Sequence, residues 1–198
     1  MAILPESFKA YQYQSGIDRI CEAYRASANT MTAAMAEATR AHSEYEYGGP
    51  EDEVHDEDGI LLWSVSSSLA QDEMAALQAA VVVREAFVTS AFHYWERSAR
   101  TWTGLHGRRD FFPQLLAESV KKYPVSPELA NLNLLNNMLK HNSGSINPDL
   151  VAARPDYFFT MFPSSKGSSP ASSRLHLTHD HVEEAFETIR ASGPNLAR

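Results

Sequence analysis

Seven residues near the start of the chain, Ile17, Cys21, Tyr24, Ala28, Met31, Met35 and Ala38, follow one another at intervals of 4-3-4-3-4-3. That rhythm is the seam of a helix packed lengthwise on another helix. It predicts one long helix from roughly Pro5 to Ala41, with Pro5 suited to a helix start. Gly48, Gly49 and Pro50 then break the chain direction. A helix of that length cannot bury its stripe alone, so the rest of the chain must supply long helical partners.

The second helix is expected from about Gln71 to Trp102. Its middle, "AALQAAVVVREAFVTSAFHYWERSARTW", is apolar on nearly every side, the mark of a central helix. Arg84, Glu85, His93 and Glu96 interrupt it, and a charge on a central helix needs a partner or a wet cleft. "ILLWSVS" at 60–66 reads as a strand or a helix lead-in. "FFPQLLAESVKKY" reads as a short third helix, and Ser126 with Pro127 as the N-cap and first position of a fourth. "YFFTMF" and "RLHLT", on either side of the Ser-rich "PSSKGSSPASS", suggest a hairpin. A last helix is expected near Asp180, where Asp180 and Glu183 have capping-box spacing. The expected architecture is mainly α: an antiparallel helical bundle in a single domain over 1–198. It comprises a long N-terminal helix (5–41), an acidic loop (42–59), a bundle core (60–145), and a small β-hairpin with a C-terminal helix (146–198).

The chain has 198 residues and a net charge of −8. Residues 44–58 hold eight carboxylates and no Lys or Arg, which accounts for all of that charge. From Trp95 to His141 there are seven basic and four acidic residues, so that stretch is mildly basic and compatible with an RNA-contacting face. No run of about 18 apolar residues occurs, and the N-terminus lacks the charged-then-apolar pattern of a secretory signal. No membrane association is expected and the expected location is cytoplasmic. Cys21 is the single cysteine, which leaves no internal disulfide and no cysteine cluster for zinc.

Several local patterns invite a chemical reading and then fail it. Placing Gly59 of "HDEDG" at the sixth position of a calcium loop puts Val54 first and Val65 twelfth, where carboxylates are required. "HLTHDH" groups His176, His179 and His181 but lacks the spacing of a known metal motif. The Ser-rich loop lacks the phosphate-loop Gly-Lys pattern, and no G-x-S-x-G occurs. No cofactor and no metal are expected.

The fourth helix carries the most information. In "NLLNNMLKHNSGS", Leu132, Leu134, Leu135, Met138 and Leu139 share one arc, while Asn133, Asn136, Asn137, Lys140 and His141 share the other. Asn costs a few tenths of a kcal/mol of helix propensity relative to Glu, Lys or Gln. Several together suggest use of their two-way hydrogen-bonding amides. His141 falls at the border of the arcs, where a side chain can be half-buried. Asn142 and Gly144 are suited to end the helix.

"NNMLKHNSGS" with the following "PDLVAARPDYF" resembles the last-helix signature of HEPN-like proteins. "REAFVTSAFHYWERSARTW" is similar to their central helix, and "LHLTHDHVEEAFETIR" to the closing strand and helix of related bacterial proteins. The resemblance implies an all-α bundle, homodimeric, with a functional His at the dimer cleft. Active members are metal-independent endoribonucleases of toxin–antitoxin, phage-defence and RNA-processing systems. The RNA 2′-OH is their nucleophile, an Arg stabilises phosphate charge, and the His transfers protons. Carried onto this chain, the resemblance implies a site of His141, Asn137, Lys140, Asn136 and Glu96, acting on RNA. The chain departs from the family at one point. With four to six residues between Arg and His, the motif Arg would fall at Asn136, Leu135 or Leu134, and none of these is Arg. Asn133 is also not Arg, and Lys140, Arg97 and Arg84 are the alternative charge donors. The second reading is a non-catalytic dimeric helical module that binds or regulates a protein partner, such as an antitoxin.

Overall fold

The computed structural model describes residues 5–49, 52–107, 111–141, 146–160 and 173–195. The protein is mainly helical, with a long N-terminal helix and two small β-hairpins. The helix stop at Asn142–Gly144 and most of the Ser-rich loop lie outside the described residues.

Helix α1 spans Glu6–Glu46 and carries the predicted seam. Ala10, Tyr13, Ile17, Cys21 and Tyr24 are buried, and Ala28, Met31, Met35 and Ala38 are half-buried. The next stretch departs from the expected solvated loop. Strands β1 (Glu53–His55) and β2 (Leu61–Ser64) form an antiparallel hairpin with a bulge at Val54/His55. Its turn is built by Asp56, whose Oδ1 accepts from the backbone N–H of Asp58 (3.0 Å) and Ile60 (2.7 Å). Gly59 adopts φ +77°, which L side chains rarely do. "HDEDG" is therefore a turn sequence using its carboxylate locally.

Helix α2 spans Val65–Thr103, starting six residues before the expected Gln71. The reason is a reciprocal cap: Ser64 Oγ accepts from the Ser67 N–H (3.1 Å), and Ser67 Oγ accepts from the Ser64 N–H (3.2 Å). Gly104, with φ +78°, stops it by donating to the Arg100 carbonyl (3.0 Å). Among the described residues α2 has the one window long and apolar enough to match a membrane span, a property shared by core helices of globular domains. Its Val88, Ala91, Phe92, Trp95 and Ala99 are buried.

Helix α3 is Phe112–Ser119 and α4 is Leu129–His141. Ser126 caps the turn that leads into α4, its Oγ accepting from the Glu128 N–H at 3.3 Å, and Pro127 follows it, so the expected cap is present while the regular helix begins two residues after Pro127, at Leu129. The Ser126 N–H is held by Ser192 Oγ at 3.0 Å. Helix α5 (Pro148–Ala153) was not expected, although its signal is plain. Asn147 accepts from Asp149 and Leu150 N–H, and Pro148 sits in the first turn. Strands β3 (Phe158–Thr160) and β4 (Ser173–Leu175) pair antiparallel, as the hairpin expectation required. Helix α6 is His179–Arg190, and its cap differs from the expected Asp180/Glu183 pair. Thr178 caps it, Thr178 Oγ1 accepting from His181 N–H and His181 Nδ1 accepting from Thr178 N–H.

The chain divides into two compact units, residues 1–24 with 84–198, and residues 25–83. The first holds nearly all of the core. Tyr24, Trp95, Leu115, Leu135, Leu150, Phe186 and Ile189 are fully buried there. In the second, Thr39 and His42 both bond Glu73, at 2.6 and 3.0 Å, joining the two helical arms.

Candidate functional site

Three helices of the larger unit enclose a cavity of about 350 Å³. Helix α2 contributes Phe92, Glu96 and Arg100, and α4 contributes Asn133, Asn136, Asn137 and Lys140. Phe111, Phe112, Pro113 and Leu115 close the remaining wall. The α2 residues recur every four positions, so one ridge of the helix faces the cavity. Four of the five predicted residues, Asn137, Lys140, Asn136 and Glu96, thus come together.

His141 does not line the cavity. Its side chain is exposed, at the last position of α4. The border position that is buried is Asn136, with no accessible surface, because it shares the inner stripe with Leu129, Leu132 and Leu135. His141 continues the ridge Asn133–Asn137 by one further turn, since i and i+4 lie one above the other. It stands beyond Asn137 along the same face.

Glu96 is the polar centre of the α2 wall. Arg100 Nη2 donates to its Oε1 at 3.0 Å, and His93 Nδ1 lies 3.2 Å from its Oε2. Burial raises the Glu96 carboxyl, but the hydrogen bonds from Arg100 and His93 and the charges of Arg100 and Lys140 outweigh it. The carboxyl is held below its usual range. Glu96 is an anion at neutral pH, and Arg100 and Lys140 leave the wall with one net positive charge.

Asn136 offers something different. Its Nδ2 and Oδ1 are both buried and meet no partner among the described residues. Leaving a buried amide unpaired costs about 1–3 kcal/mol. Such a group calls for an explanation beyond packing, although neither amide atom is accessible from the cavity as the structure stands. Trp95 Nε1 is also buried without a partner among the described residues.

Arg100 is the residue the sequence reading missed. Arg84 is committed elsewhere, donating to the Leu177 carbonyl at 3.1 Å, and Arg97 is exposed on another side of α2. The signal was present: Arg100 lies four residues after Glu96, the spacing of a helical ion pair, whereas Arg97 is turned about 100° away.

The histidines of "HLTHDH" serve the fold separately. His179 hydrogen bonds with Tyr24 Oη at 3.0 Å and stacks on its ring. His181 caps α6 and lies 3.3 Å from Asp156. Among the described residues no group of His, Cys, Asp and Glu is placed to hold a metal ion. Asp156 in turn joins Arg154, whose guanidinium also pairs Glu184 at 2.7 Å and lies 4.0 Å over the Tyr157 ring.

No family model, no curated protein and no solved structure matches this chain.

Proposed function

We propose that this chain is a HEPN-like RNA-acting protein of the bacterial defence or toxin–antitoxin kind, a metal-independent endoribonuclease with its site on the α2–α4 cavity. The observation that carries the reading is the convergence of Arg100 and Lys140 with three amides around Glu96. Arg100 supplies from α2 the cation that the α4 motif lacks. In this scheme Arg100 and Lys140 hold a phosphodiester, and Asn137 donates to its oxygens. His141, one turn beyond Asn137, takes the 2′-OH proton as O2′ attacks phosphorus and O5′ leaves with a solvent proton. The products are a 2′,3′-cyclic phosphate and a 5′-hydroxyl end.

The test is incubation of the purified chain with varied RNAs at pH 6–8 with and without EDTA. Cleavage is expected to persist in EDTA, to vanish in His141→Ala, and to fall roughly 100-fold in Arg100→Ala, the scale of losing one oxyanion-stabilising group. Intact RNA under all conditions rejects the enzyme.

A second reading, a non-catalytic dimeric module that binds a partner, is favoured by a different region. Within residues 25–83, Val54, Ile60, Leu61, Leu62, Trp63, Met74, Leu77 and Val82 are exposed. Exposed apolar groups at this density mark an interaction surface. In this reading His141→Ala alters dimerisation or folding rather than turnover, which light scattering of the variant measures.

A further inference from the structure

A second cavity, of about 660 Å³, opens on the other side of α2 within the same unit. Tyr94, Ser98 and Thr101 line it, and at about 100° per residue they face away from the Phe92–Glu96–Arg100 ridge. It is independent of the α4 polar face and unused by the proposed cleavage chemistry.

Its walls are aromatic. Tyr13 stacks with Tyr94 at 5.5 Å between centroids, and Trp102 meets Tyr13 and Tyr123 edge-on at 5.4 and 5.2 Å. Tyr94, Trp102 and Tyr123 are half-buried, so each keeps ring surface open to the cavity. The arrangement is fixed from α1. A Cβ at Gly16 would stand 2.1 Å from Tyr94 Oη, so only glycine lets that ring cross the helix and donate to the Tyr13 carbonyl at 2.9 Å.

The rim is cationic. Lys9 and Lys122 line the cavity with one carboxylate, Glu6. Glu6 is already engaged by Lys9 Nζ at 2.6 Å and by Tyr123 Oη at 2.9 Å. Lys122 is anchored by donating to the Trp102 backbone carbonyl, which ties its ammonium to the end of α2 that carries Trp102. Among the described residues, no carboxylate other than Glu6 lines the cavity. Open aromatic faces beside a fixed ammonium suit a planar ring that carries an anion, and the second lysine disfavours a cationic guest. The volume lies within the range of small-molecule sites. The exposed amide of Gln12 adds a donor and an acceptor on the wall.

We infer that this cavity binds a nucleotide, its base against Trp102 and Tyr94 and its phosphate on Lys122. The nucleotide is either free or a single unpaired residue of an RNA strand.

The experiment is calorimetric titration of the intact chain with AMP, UMP, adenosine, inorganic phosphate, choline and a short oligouridylate. A nucleoside monophosphate or the oligonucleotide is expected to bind at least tenfold tighter than adenosine or phosphate alone. Binding of the monophosphate assigns a free nucleotide; binding of the oligonucleotide alone assigns an RNA residue. Trp102→Ala is expected to weaken binding roughly tenfold or more, the scale of one stacked base. Because Trp102 also packs, the exposed Thr101 is the second handle: Thr101→Trp fills the cavity and abolishes binding with the fold intact. Binding of none of the nucleotides, preference for choline, or unchanged affinity in Thr101→Trp overturns the assignment. RNA cleavage is scored separately, so loss of either activity leaves the other interpretable.

Discussion

The two stretches of α1 carry the same seam and meet different environments. Ile17, Cys21 and Tyr24 are buried, while Ala28, Met31, Met35 and Ala38, on the same stripe, are only half-buried. In the unit of residues 1–24 and 84–198, elements from across the sequence close over the stripe. Phe87 and Phe186 pack on Tyr24, and Glu183 lies 3.7 Å from Cys21 Sγ. In residues 25–83 two helical arms and a hairpin with strands of three and four residues must do the same work, and they leave Leu62 and Trp63 in the open. Periodicity sets which face a helix offers; the number of neighbours sets how much of it is buried.

The strongest way to break that contrast is truncation in each unit. Phe186→Ala, in the closed unit, is expected to cost about 3–5 kcal/mol. Trp63→Ala, at a residue 43% exposed, should stay within about 0.5 kcal/mol. Urea unfolding measures both, and equal losses would remove the distinction.

Next in size is Arg154→Met. Its side chain is 13% exposed and pairs Asp156 and Glu184 at 2.7 Å each. Losing these charge-assisted bonds should cost about 2 kcal/mol in the same unfolding assay. A change below the error of the assay would make the cluster ornamental.

Asn136→Leu sharpens the comparison from within the closed unit. Replacing a buried amide without partners among the described residues by an apolar group should leave stability unchanged or raise it by about 1 kcal/mol. Destabilisation of similar size would show that the amide serves packing.

The smallest effect is an acid one. The hydrogen bond from Arg154, with its charge, outweighs slight burial and holds the Asp156 carboxyl below its ordinary range. A lowered native pKa adds stability above the unfolded value near pH 4, and that stability is lost as the pH falls through the native value. Acid-induced unfolding of Asp156→Asn should therefore converge with wild type at low pH and fall below it near neutrality. Parallel curves would contradict this.

Much of the helical frame was legible from residues alone. The α1 seam, the apolar α2 run, the Pro-led α3 and the amide-rich α4 are all local patterns, and each became a helix. Caps were less legible because one residue has several candidate partners. Ser64–Ser67 and Thr178–His181 prevailed where Gln71 and Asp180–Glu183 had been expected. A hairpin occupies the acidic stretch because Asp56 bonds its own turn, which charge counting does not register.

The site divides the same way. The sequence by itself determined that Asn133, Asn137, Lys140 and His141 share a face of α4, because helical periodicity is a property of the chain. It also placed Glu96 and Arg100 one turn apart on α2. Only tertiary structure decided that these two ridges face each other across one cavity, that Asn136 is turned inward, and that His141 stands clear at the helix end. Those outcomes depend on how far each helix is rotated against its neighbours, and packing fixes that rotation. Residues on the border of an arc, Asn136 and His141 here, are the ones for which a few tens of degrees separate the interior from solvent.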